Sequence, residues 1–156
     1  MSFFKKDLLE DPYRLDSLTN EWVKVAEETF GIKLPSSYIQ LLQEQNGGHI
    51  TKNASYIGIP TAYGDGFAVI EYIWGIGNKN SILETSKLIK QFDLPENLVL
   101  FSGTGEDWFA FDYRHVKENP PIIYLDDEMG LIIEIAPDFN TFLERLYVED
   151  LEIIEE

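Results

Sequence analysis

Two glycine-rich segments are the natural places to look for chemistry in this chain. Gly75-Ile76-Gly77-Asn78-Lys79-Asn80 follows a strand-like run and precedes a helix-like one, the setting in which a dinucleotide pyrophosphate meets a helix N-terminus. Asn80 replaces the third glycine of that pattern, and the segments beyond it do not alternate as parallel β-α-β units. The segment therefore reads as a turn. Ser102-Gly103-Thr104-Gly105 has the composition of a phosphate cradle. Glu106 and Asp107 follow at once and a strand comes next, so no helix N-terminus would face an anion there, and a β-turn is expected.

Acid–base or metal chemistry would need paired carboxylates or histidines. Glu106/Asp107 and Asp126/Asp127 are such pairs, of a kind that can hold a divalent cation or exchange a proton. Neither has calcium-loop spacing, and Asp126-Asp127-Glu128-Met129-Gly130 is short enough to be a hairpin turn, where carboxylates stay solvated. His49 and His115 match no metal spacing and are expected in loops. Cysteine is absent, which excludes disulfides, thiolate zinc sites and a thiol nucleophile. No serine stands in a G-x-S-x-G elbow. Catalytic residues, metal ligands and cofactors are all expected to be missing.

The elements that would carry any site are legible from period and punctuation. Asn20 is placed to cap a first helix with Trp22, Val23, Ala26 and Phe30 on its apolar side, and Gly31 stops it. Pro35 suits the first turn of a second helix, in which Tyr38, Leu41 and Leu42 share one face and Asn46-Gly47-Gly48 forms the close. Tyr56–Ile59 and Phe67–Trp74 read as strands around the turn Gly64-Asp65-Gly66. Ser81 and Glu84 make a capping box for a third helix carrying Ile82, Ile89 and Phe92, ended by Pro95. Strands follow at Leu98–Phe101, Trp108–Tyr113, Ile122–Leu125 and Leu131–Ile135. The run Trp108-Phe109-Ala110-Phe111 is apolar on both faces, as a doubly covered strand would be. Phe139, Phe142, Leu143, Leu146 and Tyr147 fall on one face of a last helix. Helices flanking an antiparallel run of strands predict an α+β fold in a single domain.

Composition bounds the partners. At 156 residues, 44% hydrophobic with 3 Trp, 8 Tyr and 10 Phe, the chain can bury a core, which rules out intrinsic disorder. The formal charge of −16 repels phosphate backbones and anionic lipid, so nucleic acid and membrane surfaces are poor partners and a basic protein surface is a good one. Residues 1–78 carry net −4 and residues 79–156 net −12, which suggests one strongly negative face, although acids also keep an aromatic-rich protein soluble. No segment approaches the roughly 18 apolar residues of a membrane span. Met1–Asp7 meets charge at once, without the apolar stretch of a signal peptide, and a cytoplasmic location is expected.

The stretch Glu27-Glu28-Thr29-Phe30-Gly31-Ile32-Lys33-Leu34-Pro35-Ser36-Ser37-Tyr38, with Leu41-Leu42 and Asn46-Gly47-Gly48, resembles the SUKH superfamily. That family is marked by Glu-x-x-Leu-Gly-x-x-Leu-Pro-x-x-Tyr, an apolar pair and Asn-Gly-Gly; Phe30 stands here where leucine is commoner. Gly105–Asp112 is similar to the family's Gly-Asp/Glu-rich strand, and Ala136-Pro137-Asp138-Phe139 with Phe142-Leu143 to its closing helix. The resemblance spans about residues 15–148, leaving an acidic tail at 149–156. It implies helices packed on one sheet and a non-enzymatic role. Many bacterial members are immunity proteins that neutralise a polymorphic toxin, often a nuclease. A fungal branch regulates cell-wall synthesis, so a regulatory scaffold is the alternative.

Within the motif, Gly31, Leu34, Pro35, Tyr38, Leu42, Asn46, Gly47 and Gly48 have structural explanations in backbone shape and core filling. The partner contact is expected instead at the acidic strand ends and turns, at Glu106, Asp107, Asp112, Asp126, Asp127 and Glu128. Purified protein is expected to carry no stoichiometric metal or nucleotide. Native mass spectrometry beside elemental analysis checks this, and one equivalent of either would overturn it.

Overall fold

A computed structural model describes residues 2–149. Asp150, Glu152, Glu155 and Glu156 of the expected acidic tail lie outside the described residues. Helix α1 (Asn20–Phe30) and helix α2 (Ser36–Glu44) lead into a short strand β1 (Gly48–His49) and a hairpin of β2 (Ala54–Thr61) and β3 (Gly64–Val69). Strand β4 (Tyr72–Ile73), a 3-10 turn (Ile82–Glu84) and helix α3 (Thr85–Phe92) follow. The second half is a meander, β5 (Leu98–Gly103), β6 (Asp107–Asp112), β7 (Ile122–Asp126) and β8 (Leu131–Ala136), closed by α4 (Phe139–Arg145). The meander strands pair antiparallel in chain order, while β1 pairs with β4 and β2 with β3. This is an α+β fold.

Every residue of β6 and β7 is buried. On one face Phe109 and Phe111 join Phe101 of β5 against Phe139 and Phe142 of α4, with the Phe101 and Phe111 rings 4.7 Å apart and the Phe101 and Phe139 rings edge to face at 5.4 Å. Tyr38 of α2 caps this cluster, 5.0 Å from Phe111. Such aromatic pairs add about 0.5–1.5 kcal/mol each beyond the area they bury. On the opposite face Trp108 meets Phe92 of α3 at 5.0 Å. The pairing of β5 with β6 shifts register between Leu100 and Ser102, and the Leu100 N–H donates to the Thr85 hydroxyl of α3 (3.1 Å), fixing helix to strand.

The motif residues of the N-terminal half tie this sheet to its helices. Gly31 ends α1 in the left-handed conformation (φ 65), and the Glu27 carboxylate accepts from the Leu34 N–H (2.8 Å). The buried Tyr38 hydroxyl donates to the Trp74 carbonyl (2.6 Å). Asn46 donates to the Asp16 and Ile76 carbonyls and accepts from the Ile76 N–H, clamping three segments with one side chain. Leu34 and Leu42 fill the core.

Several local expectations shift. Thr19, not Asn20, caps α1, because its hydroxyl accepts from the Trp22 N–H (3.2 Å). Pro35 sits one position earlier, at the cap of α2. That helix ends at Glu44 with Gln45 extended, so the positive φ of Gly47 (88) and Gly48 (144) serves entry into β1. The run Phe67–Trp74 is not one strand. The Ile70 N–H bonds to the Asn53 carbonyl and the Ile50 N–H to the Glu71 carbonyl, which takes the chain out of the hairpin and over to β1. Ser81 caps a 3-10 turn, accepting from the Leu83 N–H, and Glu84 contributes a backbone N–H to the Ser81 carbonyl. Tyr147 leaves α4 and exchanges backbone hydrogen bonds with Ala54.

Gly47 has no room for a side chain. A Cβ would lie 2.5 Å from the Tyr13 carbonyl oxygen and 2.7 Å from the Gly75 nitrogen, both backbone atoms, whereas a Cβ at Gly130 (φ 64) meets nothing within 4 Å. Gly130→Ala should therefore cost only the left-handed backbone penalty, about 1–2 kcal/mol, and Gly47→Ala distinctly more. Thermal or denaturant melts of both variants decide it; equal losses would mean that the packing around Gly47 yields.

Candidate functional site

Antiparallel pairing brings two turns to one end of the meander. Asp107, the first residue of β6, is the register partner of Asp126, the last of β7. The β5–β6 turn and the β7–β8 turn therefore lie side by side, joined by a hydrogen bond from the Asp127 N–H to the Glu106 carbonyl (3.0 Å). Five of the six acids expected at the contact converge here. Asp112 does not: it closes the other end of β6 and holds Arg114 through two side-chain bonds (2.9 and 3.0 Å). Burial pushes the Asp112 carboxyl up, but the Arg114 guanidinium and N–H outweigh it and leave its pKa below the ordinary value.

The five acids divide into two layers. Glu106, Asp127 and Glu128 are exposed. Asp107 and Asp126 are 4% and 2% exposed, so the expectation of solvated turn carboxylates is corrected for both. Their oxygens hydrogen-bond within the fold. Asp107 accepts from the Thr104 hydroxyl (2.7 Å) and the Tyr124 hydroxyl (2.8 Å), and Asp126 accepts from the Met129 N–H (3.1 Å). Asp126 also receives the Ala62 N–H (3.5 Å), which ties in the tip of the β2–β3 hairpin. Among the described residues, no lysine, arginine or histidine pairs with either acid. Burial and the neighbouring Asp126 raise the Asp107 pKa, partly opposed by the hydroxyls of Thr104 and Tyr124. Burial, then contact with Asp107, raises the phenol pKa values of Tyr63 and Tyr124.

A second polar cluster was not legible in the sequence. His49 is not a loop residue: it lies in β1 opposite Tyr72, its ring nitrogen Nδ1 is 3.0 Å from one Asp11 oxygen, and its backbone N–H donates to the other (2.8 Å). Tyr13 stacks on Tyr72 beside it at 3.9 Å. An Asp–His pair is the base half of a triad, yet no hydroxyl is bonded to His49 among the described residues, so no nucleophile is activated there. The pair fastens the N-terminal segment, which also bonds to the His49 carbonyl through the Lys5 N–H. Asp11 comes from 38 residues away, and no local spacing announces it. His115 is exposed beyond β6.

Among the described residues, no group of three or more His, Asp or Glu side chains is arranged to hold a metal ion, and no helix is long and apolar enough to cross a membrane. Gly75-Ile76-Gly77 is packing and not a cradle: a Cβ at Gly75 would strike Asn46, and the Gly77 N–H donates to the Ser81 hydroxyl (3.0 Å).

The raised Asp107 pKa makes a signed prediction. Above the ordinary value of 3.8 the unfolded chain has released this proton while the folded chain still holds it, so folding loses stability as pH rises toward the native pKa. Asp107→Asn removes that loss. Denaturant melts from about pH 4 to pH 8 should show the variant gaining on the parent as pH rises; parallel curves would reject the buried-acid account.

In a comparison with family models, residues 17–145 match that of the SMI1 / KNR4 family (SUKH-1). No curated protein matches the chain.

Proposed function

The chain belongs to the SMI1 / KNR4 family (SUKH-1), and on that footing we propose that it is a non-catalytic immunity protein that binds and neutralises a basic toxin domain, a nuclease by class. The observation that carries the contact is the bond between Asp127 and Glu106, which merges two turns into one acidic surface. Glu106, Asp127 and Glu128 face solvent on it, and the two buried acids behind them organise the turns. A nuclease is basic where it grips phosphate. An acidic surface of fixed shape on a chain of net charge −16 is attracted to that groove and occludes it.

Electrostatic steering acts mainly on the association rate and is screened as the Debye length falls from about 30 Å at 0.01 M to about 10 Å at 0.1 M salt. Stopped-flow association with the toxin encoded beside this gene should slow as salt rises. The triple variant Glu106→Gln, Asp127→Asn, Glu128→Gln should slow it further and flatten the salt dependence. The same charge change on the helices, at Glu21, Glu28 and Glu44, should do less. A salt-independent rate, or a helix variant more damaged than the turn variant, would discard the contact; a toxin that does not bind would discard the immunity reading for that pair.

A further inference from the structure

Beside the buried acids lies a small cavity of about 110 Å³. Three aromatic rings, Tyr63, Tyr72 and Phe109, form its walls, with Asp107 and Thr104 lining it and the exposed Glu71 at its margin. It is too small for a drug-sized ligand, which needs about 300–1,000 Å³. It suits the end of one side chain.

We propose that this cavity is a socket for an arginine side chain of the partner. The inference rests on the reading of the turn end as the contact for a basic protein. Asp107 is a buried carboxylate whose hydrogen-bond partners are the hydroxyls of Thr104 and Tyr124. Hydroxyls donate to it without neutralising its charge, and an ionised carboxylate has about four acceptor positions, so acceptor capacity remains. The groups facing it are Tyr63 from the hairpin turn, Glu71 and Tyr72 from β4 and the residue before it, Glu106 from the β5–β6 turn, and Tyr124 and Asp126 from β7. None is a cation. A guanidinium would supply the missing charge, and its flat face stacks on tyrosine rings in a way that an ammonium cannot match. The Tyr72 hydroxyl already donates to the Gly103 carbonyl, which holds that wall in place before any partner arrives.

The test is a titration followed by amide and tyrosine-ring NMR, with a blocked Gly-Arg-Gly peptide as probe. Citrulline and lysine peptides and guanidinium chloride serve as comparisons. Saturable shifts at Tyr63, Tyr72 and Thr104 with the arginine peptide are expected, and none with citrulline, which keeps the shape and loses the charge. Binding should strengthen with pH as Asp107 ionises. Asp107→Asn should weaken it about tenfold or more, as loss of a charged hydrogen-bond partner does. Should that variant not fold, the exposed Glu71→Gln carries the same test with a smaller loss.

Equal shifts from citrulline, shifts confined to Glu106, Asp127 and Glu128, or undiminished binding in both variants would overturn the socket. A lysine peptide binding as well as arginine would overturn its guanidinium assignment. Failure here is distinguishable from failure of the functional reading. If the neighbouring toxin binds the Asp107→Asn and Glu71→Gln variants as tightly as the parent, the contact stands and the socket falls. If the peptide fills the socket while that toxin does not bind, the socket stands and the immunity reading falls.

Discussion

Six consecutive buried residues, Asp107–Asp112, need cover on two sides at once, and the arrangement of the molecule follows from supplying it. A strand with both faces apolar cannot lie at a surface, so β6 takes a central place between β5 and β7. The Phe109 and Phe111 face recruits α4 and Tyr38 of α2, and the Trp108 face recruits α3 through Phe92. Once these contacts are made, the helices are fixed relative to the sheet and the turns at its end are fixed with them.

The same strand imposes a cost at its first residue. Asp107 begins β6 and is carried into the interior with it, opposite Asp126. Burying a carboxylate is unfavourable unless it is hydrogen-bonded or neutralised. Here hydroxyl donors from Thr104 and Tyr124 do the first, and the raised pKa reflects the missing second. The compensation has a structural by-product. The bonds that satisfy the two acids also organise both turns and draw in the tip of the β2–β3 hairpin, so the exposed carboxylates in front of them stand on a fixed base.

The motif residues of the N-terminal half do different work. Glu27 stops the α1–α2 connection from opening, Tyr38 holds the chain at Trp74, and Asn46 joins the segments around Asp16 and Ile76. These residues identify the family because they build its frame. The acids of the two turns were legible as charges, but how the fold divides them between interior and surface was not.

By itself the sequence determined the element types and most of their order, because helix and strand periods, glycine stops and turn residues are local signals. It also determined the acidity, the lack of cysteine chemistry and the family. Its misplacements were local competitions resolved by distant partners: Phe67–Trp74 divides because Asn53 and Ile50 take its backbone groups, and Tyr147 leaves its helix to pair with Ala54. Only the tertiary structure decided which acids are surface and which are core. Glu106 and Asp107 are neighbours with similar chemistry, yet Glu106 stays in the exposed turn while Asp107 enters the fully buried strand β6. Charge is a property that composition counts; desolvation belongs to the fold, because it depends on atoms brought from elsewhere in the chain.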